Sequence, residues 1–326
     1  MCTYCITVRI LCYRTVYGDD HSPERKPRMA DKRPFDFAVI GGDERQIYLT
    51  NALLQKGYSV VCAALSDSIL DKRAVQIETL YDAAQQSDCL LLPVPLSKNG
   101  RDITSGMTLE DGTVDHLLTV LTKRHTLIAG AVPARVKEFC GRSEIACYDL
   151  MERDDVAIKN AVATAEGTIA EMIARSKNNL HQSEVLVVGF GRCAQVLAKK
   201  LLGLDMHVTI CARSKNARAL AKVLGYYALR FDELDGNLGA FDYIVNTVPA
   251  MVLPRARVAQ LSDQVTVVDI ASAPGGVDFE AAKELGKHAA LCLGLPGRYA
   301  PKTSGEILAQ AVITILSERS DDDDAE

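Results

Sequence analysis

The chain has 326 residues, a formal net charge of −5, and 48% hydrophobic and 24% charged residues. Its length exceeds the usual size of one domain and predicts two. Because basic residues are not in excess, and because no run of about 20 uncharged apolar residues occurs, we expect neither a nucleic-acid partner nor a membrane-spanning helix.

The two ends of the chain differ in composition from the rest. Residues 20–33 are charged and contain prolines, which is typical of disorder. We therefore interpret residues 1–33 as a disordered extension, and the part before Met29 as dispensable for the fold. Four consecutive aspartates near the other end predict that residues 319–326 form a solvated acidic tail.

The ten cysteines are scattered along the chain and predict no metal site. Cys2 and Cys5 form a single C-x-x-C pair without a second pair to complete a zinc site. Four of the others, Cys62, Cys89, Cys211 and Cys292, lie in apolar runs, where cysteine behaves as a small hydrophobic residue that suits the reducing cytoplasm. No histidine has a catalytic setting, and His116 and His125 are predicted to be surface residues.

From residue 35 onwards, apolar strand-like runs alternate with helical patterns, which is typical of an α/β fold with parallel sheets. We predict two Rossmann-like domains joined by a long bridging helix over residues 155–175. The first domain, residues 34–154, is expected to lie on the substrate side, and a helix over residues 305–318 is expected to return to it. The second domain, residues 155–300, is expected to bind a cofactor. The predicted strands are 37–40, 58–64, 88–94, 126–129 and 145–148 in the first domain, and 184–188, 207–211, 243–247, 265–270 and 289–293 in the second.

A glycine-containing turn, G-F-G-R-C-A, follows the buried run at residues 184–188 and opens a helix. In this context Gly189 permits a tight turn, and Gly191 lets a pyrophosphate approach the backbone. The first helical residues, Arg192 and Cys193, then present unpaired N–H groups and the positive end of the helix dipole. The turn therefore predicts a dinucleotide site.

The end of the following strand indicates which dinucleotide is bound. An NAD site usually has an acidic residue about 20 positions after the first glycine, to hold the ribose 2′-hydroxyl. Here the strand ends in Cys211-Ala212-Arg213-Ser214, without an acid. Arg213 and Ser214 can instead bind a 2′-phosphate, so the sequence predicts NADP(H) as the cofactor.

Two further strand ends are expected to contact the cofactor, because ligands bind at the carboxyl edge of a parallel sheet. Asn246-Thr247-Val248-Pro249 follows one strand and supplies the candidates Thr247 and Pro249. The stretch from Asp269 to Gly276 follows the next and should face the nicotinamide, with Ala271 as the candidate.

Seven segments of the chain occur in an order that matches a known family. They are FAVIGGDERQ, ERDDVAIKNAVATAEGTI, GFGRCA, CARS, NTVPAMVL, DIASAPGGVDF and GLPGRYAPKTSGEIL. Taken together, these segments resemble the A subunits of dipicolinate synthase from spore-forming bacteria, and the resemblance covers about residues 35–315 across both domains. It implies NADP-linked oxidation of dihydrodipicolinate to pyridine-2,6-dicarboxylate, a partner in the form of a flavoprotein-like B subunit, and the cytoplasm of the mother cell of a sporulating bacterium. We also expect a homo-oligomer.

A small dicarboxylate substrate requires cations and hydrogen-bond donors in the cleft. The substrate-binding candidates are Arg45, Arg153, Thr164 and Thr303. The candidate catalytic residues are Lys302 and Glu166, of which Glu166 could accept the proton that is lost on aromatisation.

Two other functions are compatible with the pattern. A D-2-hydroxyacid dehydrogenase would share the two-domain layout, but it needs a histidine base near the last strand, and His288 precedes that strand without a following proline pair. A non-catalytic NADP-sensing protein that regulates a partner would need the phosphate turn but no cations in the facing cleft. Consumption of NADP with dihydrodipicolinate would distinguish these alternatives.

Overall fold

The structure is a computed structural model that describes residues 33–323. The predicted extension, apart from Arg33, and the last three residues of the predicted tail lie outside the described residues. Residues 33–314 belong to one compact unit that contains both sheets, and the described residues beyond it, 315–323, are helical.

The first lobe, residues 33–153, contains a parallel sheet of six strands in the order β3-β2-β1-β4-β5-β6. The strands are β1 Phe37–Ile40, β2 Val60–Ala63, β3 Val75–Ile77, β4 Cys89–Leu91, β5 Thr126–Ala129 and β6 Ala146–Asp149. The helices between them are α1 Glu44–Gln55, α2 Leu80–Gln86, α3 Val114–Val120 and α4 Ala134–Arg142. Strands β1, β2 and β4 are buried along their whole length, as expected for a sheet covered on both faces.

The second lobe, residues 154–300, repeats this arrangement with the strand order β12-β11-β10-β7-β8-β9. The strands are β7 Glu184–Val188, β8 His207–Cys211, β9 Tyr227–Leu229, β10 Tyr243–Asn246, β11 Thr266–Asp269 and β12 His288–Leu291. The helices are α5 Asp154–Arg175, α6 Arg192–Leu202, α7 Lys215–Val223, α8 Arg255–Val258, α9 Phe279–Glu284 and α10 Leu295–Tyr299. Buried apolar clusters lie on both faces of this sheet. Two Rossmann-like halves with parallel sheets are therefore present, and each sheet has one more strand than the five predicted.

The terminal helix, α11, spans Pro301–Asp323. It begins four residues before the predicted start, and it continues through the first residues of the predicted acidic tail. Near its beginning, α11 packs so closely on α1 that a Cβ on Gly305 would lie 2.5 Å from the carbonyl oxygen of Arg45. The start of α11 therefore touches the first lobe.

Each sheet has a topological switch point, where the chain moves from one half of the sheet to the other. In the first sheet it lies between β1 and β4, and in the second between β7 and β10. In open α/β sheets, ligands bind in the crevice at the carboxyl ends of the strands at such a point. The two crevices are therefore the places to search for a site.

Candidate functional site

The crevice of the second sheet is formed by the turn after β7 and the loop after β10. Gly189 has a φ of +101°, and a Cβ there would lie 2.2 Å from Oγ1 of Thr247. Thr247 is fixed in place because its hydroxyl donates a 2.8 Å hydrogen bond to the carbonyl of Val188. Only glycine fits at position 189, so the turn passes tightly beneath the next loop.

The backbone after this turn has the features of an anion-binding site. The N–H groups of Phe190 and Gly191 have no acceptor within residues 33–323, and α6 begins immediately afterwards. A Cβ on Gly191 would meet no atom within 4 Å, so open space lies beside the backbone there. Free N–H groups, the dipole of an 11-residue helix and open space fit the pyrophosphate of a dinucleotide.

In the crevice of the first sheet, the glycine turn is already hydrogen-bonded to the chain itself. Gly42 follows β1, and its N–H donates a 2.8 Å hydrogen bond to the carbonyl of Thr104. The carbonyl of Gly42 in turn accepts a 2.9 Å hydrogen bond from the N–H of Gly106. The N–H of Gly42, which a phosphate would need as a donor, is thus already bonded to the chain. The geometry therefore favours the second lobe as the dinucleotide site.

A buried polar network that the sequence did not predict holds the second crevice in shape. Asn246 and Asp269 are both fully buried, and the Asn246 amide donates a 3.0 Å hydrogen bond to Oδ1 of Asp269. Asp269 also accepts hydrogen bonds from the backbone N–H groups of Ala271 (2.9 Å) and Gly276 (2.6 Å). The loops after β10 and β11 are therefore fixed relative to each other. The only signal in the sequence was a polar residue at the end of each strand.

The end of β8 presents basic groups to solvent. Arg213 is exposed, and its guanidinium has no ion pair in the part of the chain that the structure describes. Ser214 caps α7 by accepting a 3.4 Å hydrogen bond from the N–H of Ala217, which leaves its hydroxyl proton available. Arg218 donates hydrogen bonds to the carbonyls of Ala212 and Arg213, at 2.7 and 2.6 Å, and so fixes the backbone of this corner.

Comparison with known proteins identifies the family of the chain. A family model described as the N-terminal domain of the dipicolinate synthase A subunit matches residues 36–151, and one described as shikimate / quinate 5-dehydrogenase matches residues 169–287. The A subunit of dipicolinate synthase from Bacillus subtilis (strain 168) is 33% identical over 288 residues, which cover 86% of this chain and 95% of that protein. The chain belongs to the family of dipicolinate synthase A subunits.

Solved structures agree with the family assignment. The crystal structure of the dipicolinate synthase A subunit from Bacillus subtilis matches with a TM-score of 0.78 and 29% identity, over 90% of this chain and 98% of that one. The structure of the A subunit from Bacillus halodurans matches with a TM-score of 0.77 and 27% identity, over 87% of this chain and 98% of that one. The dehydrogenase-type second lobe implies a nicotinamide cofactor, and a family of A subunits implies a partner subunit.

In this member of the dipicolinate synthase family, the predicted anchor Arg45 is already paired. It is 7% exposed, and its guanidinium donates to Asp43 from Nε (2.9 Å) and Nη2 (2.8 Å) and also to the carbonyl of Val94. The Arg45 side chain also lies so close to Gly297 of the second lobe that a Cβ on Gly297 would be 2.9 Å from Nε of Arg45. We therefore interpret Arg45 as a residue that positions the start of α1, which argues against a direct substrate contact.

The bridging helix α5 directs the predicted residues Thr164 and Glu166 to different places. The hydroxyl of Thr164 donates a 3.0 Å hydrogen bond to the carbonyl of Asn160, one turn earlier on α5. Burial raises the pKa of Cys193, at the start of α6 beside the dinucleotide turn, and the charge of Arg192 only partly opposes this. Glu166 instead forms a 2.9 Å ion pair with Lys200, which lies eight residues along α6 from Arg192, or about 12 Å. This placement argues against Glu166 as the proton acceptor.

Of the remaining predicted residues, most are exposed, but Arg153 is half-buried and Ala271 is buried. Lys302 and Thr303 are exposed at the start of α11, and the ammonium of Lys302 has no ion pair among the described residues. Arg153 pairs with Asp155 at 3.1 Å, and Arg192 pairs with Asp154. Pro249 is exposed on the loop after β10, where a ligand could reach it. Lys302 and Thr303 remain candidates for contact with the substrate, whereas the charge of Arg153 is already paired with Asp155.

The structure corrects the prediction for one histidine. His125 is buried rather than superficial, because its Nε2 lies 3.1 Å from the carbonyl of Ala84 and its Nδ1 accepts from the N–H of Thr122. Burial lowers its pKa. Within residues 33–323, no group of three or more potential ligands could hold a metal ion, and no helix has the length and apolarity to cross a membrane.

Proposed function

We propose that this protein is the A subunit of a dipicolinate synthase and oxidises dihydrodipicolinate to pyridine-2,6-dicarboxylate with NADP. The observation that carries the proposal is the second crevice, where N–H groups without acceptors and open space lie at the switch point of a dehydrogenase-type lobe. The family relationship supports the substrate, because the Bacillus subtilis relative is named for dipicolinate synthesis.

Different residues of the second lobe would bind different parts of the cofactor. The turn Gly189–Gly191 and the first residues of α6, Arg192 and Cys193, would hold the pyrophosphate. Arg213 and Ser214 would hold the 2′-phosphate, since no acidic residue at the end of β8 would repel it. The loops that carry Thr247, Pro249 and Ala271 would flank the nicotinamide half.

The reaction requires positioning more than covalent chemistry. NADP, when bound, supplies the acceptor for one hydride, and a dihydropyridine that loses a hydride and a proton becomes aromatic. The protein has to orient the ring and exclude water, which can contribute about 7–11 kcal/mol when the geometry is close to ideal. The substrate would lie in the cleft between the second crevice and the first lobe, near Lys302 and Thr303.

The cellular setting follows from the family relationship and belongs to the same proposal. We expect the partner to be a flavoprotein-like B subunit, and we expect a homo-oligomer of this chain and action in the cytoplasm of the mother cell during sporulation. Co-purification of the two subunits from sporulating cells, compared with vegetative cells, would measure this association.

The purified full chain tests the proposal directly. It is mixed with dihydrodipicolinate and either NADP or NAD, and both the reduced cofactor and pyridine-2,6-dicarboxylate are quantified. We expect equimolar formation of both products with NADP and much slower formation with NAD. Tight NADP binding without turnover, with or without the B subunit, would instead identify a sensing protein. Oxidation of a 2-hydroxy acid would favour a dehydrogenase of that class, although His288 is exposed at the start of β12 and therefore at the opposite edge of the sheet.

A further inference from the structure

The first crevice contains polar groups that the proposed reaction has not yet used. It lies between the turn Gly41–Gly42 after β1 and the segment that follows β4. Its buried arginine, Arg45, donates hydrogen bonds from Nε and Nη2 to Asp43, and the carboxylate of Asp43 neutralises its charge. Separating a buried charge from its partner costs about 3–5 kcal/mol. A substrate carboxylate must therefore find another cation in this lobe.

Lys98 is such a cation. It lies on the segment after β4, it is exposed, and its ammonium forms no ion pair or hydrogen bond within residues 33–323. The backbone places it beside the crevice, because Leu96, two residues earlier, accepts a 2.8 Å hydrogen bond from Thr104, which in turn bonds to Gly42. Burial raises the pKa of Asp43, but Arg45 and, more weakly, Lys98 lower it, so the charge of Lys98 acts at the start of α1.

Gln46 is the second unused group. It is 2% exposed, and Oε1 of its amide has no hydrogen-bond partner among the described residues. Its Nε2 donates a single long bond of 3.4 Å to the carbonyl of Leu92, and this bond identifies which end of the amide is the nitrogen. The oxygen lies against Gly42, where a Cβ would be 2.7 Å away. A buried acceptor without a donor is costly, and a side chain held by one long bond can rotate towards a ligand that supplies one.

We propose that Lys98 and Gln46 form the substrate subsite of the first lobe, in which Lys98 pairs with a carboxylate and Oε1 of Gln46 accepts a hydrogen bond from the ring N–H. This inference rests on the proposed function for the identity of the substrate. A dihydropyridine tautomer with an N–H loses hydride from the adjacent carbon and then the proton from nitrogen. The aromatic product has a bare ring nitrogen, which Oε1 repels. Gln46 therefore favours the reduced ring over the product.

Two dicarboxylates that differ at the ring nitrogen test the subsite without turnover. Piperidine-2,6-dicarboxylate carries N–H donors, and pyridine-2,6-dicarboxylate carries a bare nitrogen. Both are titrated by calorimetry into the full-length protein with saturating NADP. Lys98→Ala should weaken both ligands by about 10-fold or more, as for a hydrogen bond to a charged group. Gln46→Leu should weaken only the piperidine ligand, by about 3- to 30-fold.

Matched variants control for general damage. Lys56→Ala removes an exposed lysine at the far end of α1, and Gln55→Leu changes an exposed glutamine on the same helix. Both should leave the two affinities unchanged, and all four variants should keep the wild-type affinity for NADP. Equal affinities of wild type and Lys98→Ala, equal losses of both ligands in Gln46→Leu, or no binding of either ligand by wild type would overturn the subsite. If the ligands bind as expected but the protein does not oxidise dihydrodipicolinate, the proposed reaction is rejected and the subsite is retained.

Discussion

The amide of Asn246 and the carboxylate of Asp269 form a fully buried hydrogen bond of 3.0 Å that joins the ends of two neighbouring strands, β10 and β11. Each partner also bonds to the loop beyond its own strand. The Asn246 side chain bonds to the N–H and the carbonyl of Val248, and Asp269 accepts from Ala271 and Gly276. The pair therefore fixes both loops at the cofactor side of the crevice.

Replacing Asp269 with alanine should damage both stability and cofactor binding. Three buried donors, the Asn246 amide and the N–H groups of Ala271 and Gly276, would lose their acceptor. We expect a loss of about 3 kcal/mol in the free energy of unfolding and weaker NADP binding. Urea denaturation and cofactor titration measure the two effects. The control is Asp67→Ala, whose side chain is exposed and forms no ion pair or hydrogen bond within residues 33–323, so neither quantity should change measurably. A stable Asp269→Ala variant with normal NADP affinity would contradict this role.

Alanine at Gly189 and at Gly191 should have different effects. At Gly189 the new Cβ would collide with Thr247 at 2.2 Å and would sit at a positive φ, so both folding stability and NADP binding should fall. At Gly191, φ is −82° and the Cβ would meet only open space, so stability should stay within about 0.5 kcal/mol of wild type. Binding should still weaken, because the methyl group would occupy the space next to the free N–H groups. Thermal unfolding with and without NADP measures both, and normal binding by Gly191→Ala would exclude the turn as the pyrophosphate site.

Arg213→Ala should remove the preference for NADP. The wild type should bind NADP more tightly than NAD, and the variant should lose about 10- to 150-fold of its NADP affinity with little change for NAD. The comparison variant is Arg230→Ala, an exposed arginine that is paired with Asp232 and should leave both affinities unchanged. Equal affinity of the wild type for the two cofactors would show that Arg213 does not contact a 2′-phosphate.

The sequence predicted the central strands and one edge strand of each sheet and missed the other edge strand. Continuous buried runs such as β7 are recognisable because both of their faces pack against helices. The two missed strands, β3 and β9, are edge strands of three residues each. Three residues are too few to show the alternation of apolar and polar residues over four to eight positions on which a strand prediction depends.

The site was predictable where backbone geometry determines it and less so where side-chain partners do. The turn at Gly189 requires glycine by local sterics, which a sequence shows directly. In contrast, the pairing of Arg45 with Asp43 and of Glu166 with Lys200 depends on rotamers and neighbouring elements. Lys98 was missed because it lies in a long loop, and only the fold brings that loop to the switch point.

Glu171 provides a test of pH dependence at the junction of α5 and α10. Its carboxylate is 3% exposed, accepts hydrogen bonds from Arg175 (2.7 Å) and the hydroxyl of Tyr299 (2.8 Å), and forms an ion pair with Arg298 at 2.7 Å. Burial alone would raise the pKa of Glu171, but the hydrogen bonds from Tyr299 and Arg175 and the two arginine charges lower it below its usual value of 4.5. The unfolded chain therefore binds the proton more tightly than the folded protein does.

Glu171→Gln should consequently destabilise the protein in a manner that depends on pH. Above about pH 5 the wild-type carboxylate is ionised in both states, and the variant should be about 2 kcal/mol less stable. As the pH falls below the unfolded pKa, protonation favours the unfolded wild type, so the difference between the two proteins should shrink. Urea denaturation at intervals between about pH 3.5 and pH 7 measures this difference. Glu144→Gln, whose carboxylate is 75% exposed, serves as the control and should show no such dependence. A difference for Glu171→Gln that stays constant over the whole range would mean that the loss comes from shape and not from the charge.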